Sequence, residues 1–309
     1  MVKIKTLQLR SNSGANLYLR RSKPKGKVKA VVQINHGLTE HSGRYEHFMK
    51  HLSANDYAAI AHDHRGHGLT EAEKLPRGQF STRDGSRKVL KDVDFINNYI
   101  RSEFPDTPII CFGHSMGGLI AANYATGHPH KIDALAIWNS NFQASDFTPF
   151  VQFILGFEAF FLGSDVPSAI IPKLTFQRWS KSIDGAVSGT DWLSSDREQL
   201  DAIADDDLTG WKPSISMWQD VFNFMSRGAK VDTIARLPKT LPINLVGGGE
   251  DPATNKGLAV SWLADRLKKT GLSNINFKIY KDARHETLND FDRKIAMDDF
   301  VLWANKFMA

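Results

Sequence analysis

Three side chains far apart in the chain have the types and settings needed to split an acyl bond: Ser115, Asp251 and His285. Ser115 sits in Gly113-His114-Ser115-Met116-Gly117, after the apolar run Pro108-Ile109-Ile110-Cys111-Phe112 and before Leu119-Ile120-Ala121-Ala122. A strand that turns sharply into a helix at such a serine lifts the hydroxyl clear of the sheet. Gly113 and Gly117 suit that corner, because backbone and helix approach too closely for a Cβ. A neutral hydroxyl is a weak nucleophile and needs a base. His285 can serve, in the loop Asp282-Ala283-Arg284-His285-Glu286 after the strand pattern Asn276 to Tyr280. The imidazole in turn needs a carboxylate to fix its tautomer and stabilise its cation. Asp251 is the preferred group, because the strand pattern Leu241 to Val246 breaks at Gly247-Gly248-Gly249 and delivers it at a strand end. Glu250 is the nearest rival, and Asp282 a weaker one because it shares the loop of His285. The chain order serine, acid, histidine, with the last two after later strands, is the order this kind of elbow uses.

A tetrahedral intermediate also needs two backbone donors aimed at its oxygen. Met116 N–H, next to the serine, is one. The strand pattern Val28 to Asn35 runs into a loop where Gly37 lets the chain turn, and Leu38 N–H is the other. The chemistry expected is attack of Ser115 on an ester carbonyl, departure of the alcohol with a proton from His285, and hydrolysis of the acyl-enzyme. It needs no cofactor and no metal.

Four segments carry a family likeness: His36-Gly37-Leu38-Thr39-Glu40-His41-Ser42-Gly43-Arg44-Tyr45, Asp63-His64-Arg65-Gly66-His67-Gly68, Gly113-His114-Ser115-Met116-Gly117-Gly118 and Ala283-Arg284-His285-Glu286-Thr287-Leu288-Asn289. Together they resemble the monoacylglycerol lipase and lysophospholipase branch of the α/β-hydrolase superfamily. The likeness covers nearly the whole chain and is weakest between residues 145 and 235. It implies Ser115 as nucleophile, Asp251 as acid, His285 as base, Leu38 and Met116 as oxyanion donors, and a single-chain lipid ester as substrate. The family often has Ala and Gly where this chain has Leu38 and Thr39; a backbone donor tolerates the change, while the larger side chain narrows the mouth of the site. Small-ester carboxylesterases and acyltransferases share these motifs, so both stay as alternatives, and a catalytically silent binding protein is the alternative from another class.

The cluster His62, His64 and His67 has the His-x-His spacing of some dizinc hydrolases, but Gly66 stands where such sites want an acidic ligand. The expectation is instead a turn after a strand, with Asp63 and Arg65 paired. The chain of 309 residues carries a formal charge of +5 and a single cysteine, Cys111, which excludes an intramolecular disulfide. Its N-terminus lacks the apolar stretch of a signal peptide, and a reducing cytoplasm is the expected compartment. The basic run Arg20 to Lys29 is expected to be a solvated hairpin turn. No basic–aromatic interleaving or nucleotide loop suggests nucleic acid, and the oligomeric state is left open.

The elements that position these groups follow from periodicity. After an N-terminal hairpin (4–10 and 15–21), strands near 28–35, 57–62, 108–112, 133–139, 241–247 and 275–280 alternate with helices near 45–54, 84–103, 116–127, 255–270 and 290–307. That alternation predicts an α/β fold: a mostly parallel sheet with helices on both faces. In helix 84–103 the stripe Val89, Val93, Ile96, Tyr99 and Ile100 is expected to face inward. About a hundred residues separate strands 133–139 and 241–247, too many for one crossover. The division is therefore a core of 1–140 and 237–309 with an inserted, mainly helical cap at 141–236. Within the cap, Phe150, Phe153, Ile154, Phe157, Phe160 and Phe161 share a helical face, followed by Trp179, Trp192, Trp211 and Trp218. Phe157 and Phe161 are expected to wall an acyl-chain site over Ser115. Such a cap also suits transient contact with a membrane surface.

Overall fold

The computed structural model describes residues 2–72 and 75–308, and among these nine strands form one sheet. They are β1 (Lys5–Arg10), β2 (Ala15–Ser22), β3 (Ala30–Asn35), β4 (Tyr57–His62), β5 (Glu71–Ala72), β6 (Ile109–His114), β7 (Ala134–Trp138), β8 (Ile243–Gly248) and β9 (Ile275–Tyr280). Their order is β1-β2-β4-β3-β6-β7-β8-β9, with the short β5 paired to β2. β1 and β2 form the expected antiparallel hairpin, and every pairing from β4 across to β9 is parallel. The five central strands are buried along their whole length. Strands covered on both faces cannot alternate apolar with polar, so these segments are dominated by Val, Ile, Leu and Ala.

The helices are α1 (Glu46–Ala54), α2 (Gly85–Glu103), α3 (Met116–Gly127), α4 (Thr148–Leu162), α5 (Ile171–Leu174), α6 (Phe176–Lys181), α7 (Arg197–Ala204), α8 (Ile215–Gly228), α9 (Val231–Ile234), α10 (Leu258–Lys269) and α11 (Arg293–Asn305). α1 and α11 bring Phe48, Leu52, Phe300 and Trp303 against Phe112 and Trp138 on one face. α2, α3 and α10 bring Val89, Ile120 and Leu263 against Cys111, Leu135 and Leu245 on the other. Burial pushes the Cys111 thiol up to about 12, which leaves it a small apolar side chain. α4 to α9 all lie between β7 and β8. No described helix is long and apolar enough to cross a membrane.

Three expectations change. The run Arg20 to Lys29 is not a hairpin turn, because β2 and β3 both pair with β4, one antiparallel and one parallel. Arg20 is buried there, with its guanidinium bonded to Ser42 and Glu46. On α2, Tyr99 is only half-buried and accepts from Arg21, while Asp92 and Asn97 join the inner stripe. Asp92 is tolerated in the interior because Arg65 and Ser11 satisfy its carboxylate, each at 2.7 Å. Arg65 therefore pairs with Asp92 and not with Asp63. Asp63 accepts instead from the amides of Ser42 at 2.9 Å and Leu69 at 2.8 Å.

The histidines of this turn pack on one another. Ring centroids lie 4.5 Å apart for His36 and His64, 4.6 Å for His62 and His64, and 5.0 Å for His36 and His67. No described group of three or more His, Cys, Asp or Glu is placed to hold a metal ion. Burial holds all four imidazoles below their ordinary value, with His62 lowered to about 3. The unfolded chain then binds more protons than the folded one between about pH 6.5 and 3, so stability is full above 6.5 and falls with acidification. Each ring that titrates adds a slope of up to about 1.4 kcal/mol per pH unit. His114, whose value is raised, acts in the opposite sense: its contribution is full below 6.5 and is lost as pH rises through its folded value. Denaturant unfolding at pH 7.5, 6 and 5 should show a steep loss below 6. An unchanged midpoint down to pH 5 would contradict the buried, neutral state of these rings.

Candidate active site

β6 ends at His114 and α3 begins at Met116, so Ser115 alone makes the corner, with φ +53° and ψ −119°. A Cβ on Gly113 would lie 2.1 Å from Gly117 O, and one on Gly117 would lie 2.0 Å from Asn35 O. Only glycine fits at either place, and the strained serine between them is held by Ser115 N donating to Trp138 O at 2.8 Å. The corner aims Ser115 Oγ at His285 Nε2, 2.8 Å away. On the other side of the ring, His285 Nδ1 lies 2.9 Å from Asp251 Oδ2. A carboxylate can only accept from the ring, so Nδ1 carries the proton and Nε2 offers its lone pair to the hydroxyl of Ser115.

Asp251 is fully buried. Its Oδ1 accepts from Ala253 N at 2.9 Å, and its Oδ2 also accepts from Thr254 Oγ1 at 2.8 Å and Asn139 Nδ2 at 3.3 Å. Burial opposes its ionisation, but His285 and these donors outweigh it and hold the carboxyl below the usual range. Glu250 points away: its side chain is half exposed and pairs with Lys256 at 3.0 Å. Asp282 is exposed. The structure thus brings together Ser115, Asp251 and His285 and leaves both rival acids outside.

Leu38 and Met116 both line the cavity above Ser115, and among the described residues no acceptor takes either amide hydrogen. The loop that carries Leu38 is fixed by Glu40, whose Oε1 accepts from Gly37 N and from Tyr45 OH at 2.8 Å. His114 Nδ1 is 3.3 Å from the same oxygen, and His114 Nε2 donates to His285 O at 2.9 Å. Burial disfavours the charged ring, yet Glu40 outweighs it and raises the value of His114. Arg44 and Glu286 form a second buried pair at the cavity wall. Sequence reasoning singled out neither pair. Glu40 and Glu286 lie within the motifs quoted above, but nothing in one sequence shows which way a loop carboxylate turns.

The cavity has a volume of about 520 Å³ and is lined mainly by apolar groups, with Trp179, Trp192, Trp211, Trp218, Phe176 and Phe222 among them. The ring of Trp192 lies 4.8 Å from that of His285, and Phe176 stacks on Trp192. Trp192 O and Leu193 O accept from the amides of His285 and Glu286 at 3.3 Å and 2.7 Å, so the inserted segment grips the histidine loop directly. The expected wall of Phe157 and Phe161 is corrected: they are 60% and 64% exposed and do not line the cavity. α4 is apolar on every side, and the side that turns inward carries Val151, Ile154, Leu155 and Ala159. Its one charge, Glu158, is also turned inward, accepting from Ser168 Oγ at 2.6 Å and Ala169 N at 2.9 Å.

A family model described as Serine aminopeptidase, S33, matches residues 26–292. The Monoglyceride lipase of Homo sapiens is 30% identical over 277 residues, spanning 88% of this chain and 80% of that protein. The Monoacylglycerol lipase of Mycolicibacterium smegmatis is 26% identical over 286 residues, spanning 89% of this chain and 88% of that protein. Among solved structures, a thermostable carboxyl esterase from Bacillus coagulans in complex with glycerol superposes with a TM-score of 0.89 over 100% of both chains, at 24% identity. That last likeness concerns the fold.

Proposed function

The chain belongs to the α/β-hydrolase family described as Serine aminopeptidase, S33, among its monoglyceride lipase-like members, and from that premise we propose that it hydrolyses carboxylic esters of single-chain lipids through an acyl-enzyme. One observation carries the reading: the hydrogen-bonded line Ser115, His285, Asp251 opens into an apolar cavity of about 520 Å³. In this reading Ser115 Oγ attacks the ester carbonyl while His285 Nε2 takes its proton, and the amides of Leu38 and Met116 hold the oxyanion. The imidazolium then protonates the departing alcohol. Water enters, gives its proton to His285 and releases the acid, which restores Ser115.

Residues 141–236 act as a cap on a core of 1–140 and 237–309, and the tryptophans of that cap receive the acyl chain. An aminopeptidase would want a free carboxylate for the substrate's ammonium. Glu40 and Glu286, the carboxylates of the wall, are already engaged by His114 and Arg44. That favours an ester over a peptide. The exposed, uncharged side of α4, with Phe150, Phe153, Phe157, Phe160 and Phe161, suits transient contact with a lipid surface from which such esters are drawn. The lone buried cysteine agrees with a reducing, cytoplasmic setting.

Each methylene buried in the cavity is worth about 0.8 kcal/mol, or up to about fourfold in kcat/KM. The value of kcat/KM should therefore climb from acetyl to octanoyl esters presented as monomers, and Trp218→Ala should flatten the climb. A Phe157→Ser, Phe161→Ser double variant should keep the monomer trend and lose rate only on vesicles. A wild-type profile that peaks at acetate would replace this reading with a small-ester carboxylesterase. Product analysis with added acceptor alcohols distinguishes an acyltransferase.

A further inference from the structure

We propose that Asn139 is a positioning residue that holds the acid and the base in register from both sides of His285; the proposal rests on the triad roles given above. Asn139 is the first residue after β7 and has φ +49°, a left-handed conformation that asparagine accepts more readily than most residues. Its backbone is pinned by Asn139 N donating to Val246 O at 2.7 Å, at the end of the strand that delivers Asp251. The side chain is buried and touches three groups. Nδ2 donates to Asp251 Oδ2 at 3.3 Å and lies 3.4 Å from Arg284 O, while Oδ1 accepts from Thr287 Oγ1 at 2.9 Å. Arg284 precedes His285 and Thr287 follows it by two, so a single planar amide bonds to the acid and to the loop on each side of the base.

The orientation of that amide is not interchangeable. Asp251 and the Arg284 carbonyl are acceptors, so flipping the group would set an oxygen against two oxygens and leave the hydroxyl of Thr287 facing an NH₂. Nδ2 is also one of three donors to Asp251 Oδ2, beside His285 Nδ1 and Thr254 Oγ1. Sharing that oxygen moderates the pull of Asp251 on the imidazolium. Asn139 therefore acts on His285 by holding its carboxylate partner, Asp251, and by placing its loop through Arg284 and Thr287, without touching the reacting atoms. The groups around His285 that can also titrate or carry charge are Asp251 at its Nδ1, His114 against its ring with Glu40 behind it, and Glu286, the next residue, with its partner Arg44.

The test is a pH profile of kcat on a short monomeric ester for wild type, Asn139→Asp, Asn139→Gly and Thr287→Val, with Ser115→Ala alongside. Asn139→Asp sets a second carboxylate against Asp251, which favours the imidazolium and should move the acid limb upward by about one pH unit. Asn139→Gly keeps the left-handed backbone without the amide and should lower kcat about tenfold with KM little changed. Thr287→Val removes the hydroxyl that orients the amide and should lower kcat in the same direction by a smaller factor. A purely structural Asn139 would lower the melting temperature while leaving both the limb and kcat of the folded protein unmoved, and that outcome overturns the proposal. Wild-type kcat in Asn139→Gly overturns it as well, even if Asn139→Asp cannot be purified folded. Activity in Ser115→Ala would remove the triad reading itself. An inactive Ser115→Ala with an unmoved Asn139→Asp limb removes only the role of Asn139.

Discussion

Ser115→Ala and His285→Ala should each retain less than about a thousandth of the wild-type rate of ester hydrolysis, with substrate affinity largely kept. The expectation rests on one short contact that needs both of its partners. Ser115 Oγ is 2.8 Å from His285 Nε2, and without that nitrogen the hydroxyl stays protonated at the moment of attack. Without Ser115 the base has nothing to activate on the substrate's side. Because the pair works as a unit, the double variant should be hardly worse than either single one. The residual rate would come from the Leu38 and Met116 amides and from binding in the cavity. Neither change asks for a backbone shift: alanine keeps the corner at 115, and His285 is anchored through its amide to Trp192 O. The measurement is kcat on purified variants with wild-type-like melting temperatures. A tenth of the wild-type rate in Ser115→Ala would end the mechanism proposed here.

Asp251→Asn should lower turnover by up to about ten-thousandfold while Glu250→Gln changes it little. Thr254 Oγ1 and Asn139 Nδ2 both donate to the Oδ2 that His285 uses, and Ala253 N donates to Oδ1. An amide at 251 must turn its NH₂ towards at least one of these donors or towards His285 Nδ1. In the second case the ring takes the other tautomer and its Nε2 can no longer accept the serine proton. Glu250 has no such part, since its carboxylate lies at the surface beside Lys256. Comparing the two variants by kcat, with KM as the control for binding, separates the two neighbours. The reverse ranking would transfer the acid to Glu250.

The division between what was legible and what was hidden follows from the range of the forces involved. Gly113, Ser115 and Gly117 are legible because a strand-to-helix corner is a local backbone problem with few residue solutions. The parallel core is legible too, since burial on both faces demands apolar runs such as Ile109 to Phe112 and Ala134 to Trp138. Asp251 could be preferred over Glu250 only by its place at a strand end; its four donors come from segments as far apart as Asn139 and His285.

α4 is the clearest case of information the sequence does not hold. A helix with apolar residues all round has no preferred side until something packs on it, so its period showed a helix and not a direction. Packing against α8 buried Leu155, half-buried Ile154 and left Phe157 and Phe161 facing out. The cavity wall went to the tryptophans of the later segments, whose irregular spacing carries no periodic signal. The same holds for Arg65, which the sequence set beside Asp63 and the fold pairs with Asp92 from α2. By itself the sequence determined the elbow, the order of strands and helices and the chemical types at their ends, because those depend on neighbours along the chain. Only the tertiary structure decided which carboxylate meets which imidazole, which side chains of the inserted segment line the cavity, and that Asn139 joins Asp251 to the loop of His285, because those depend on desolvation and packing between segments that meet only when the chain is folded.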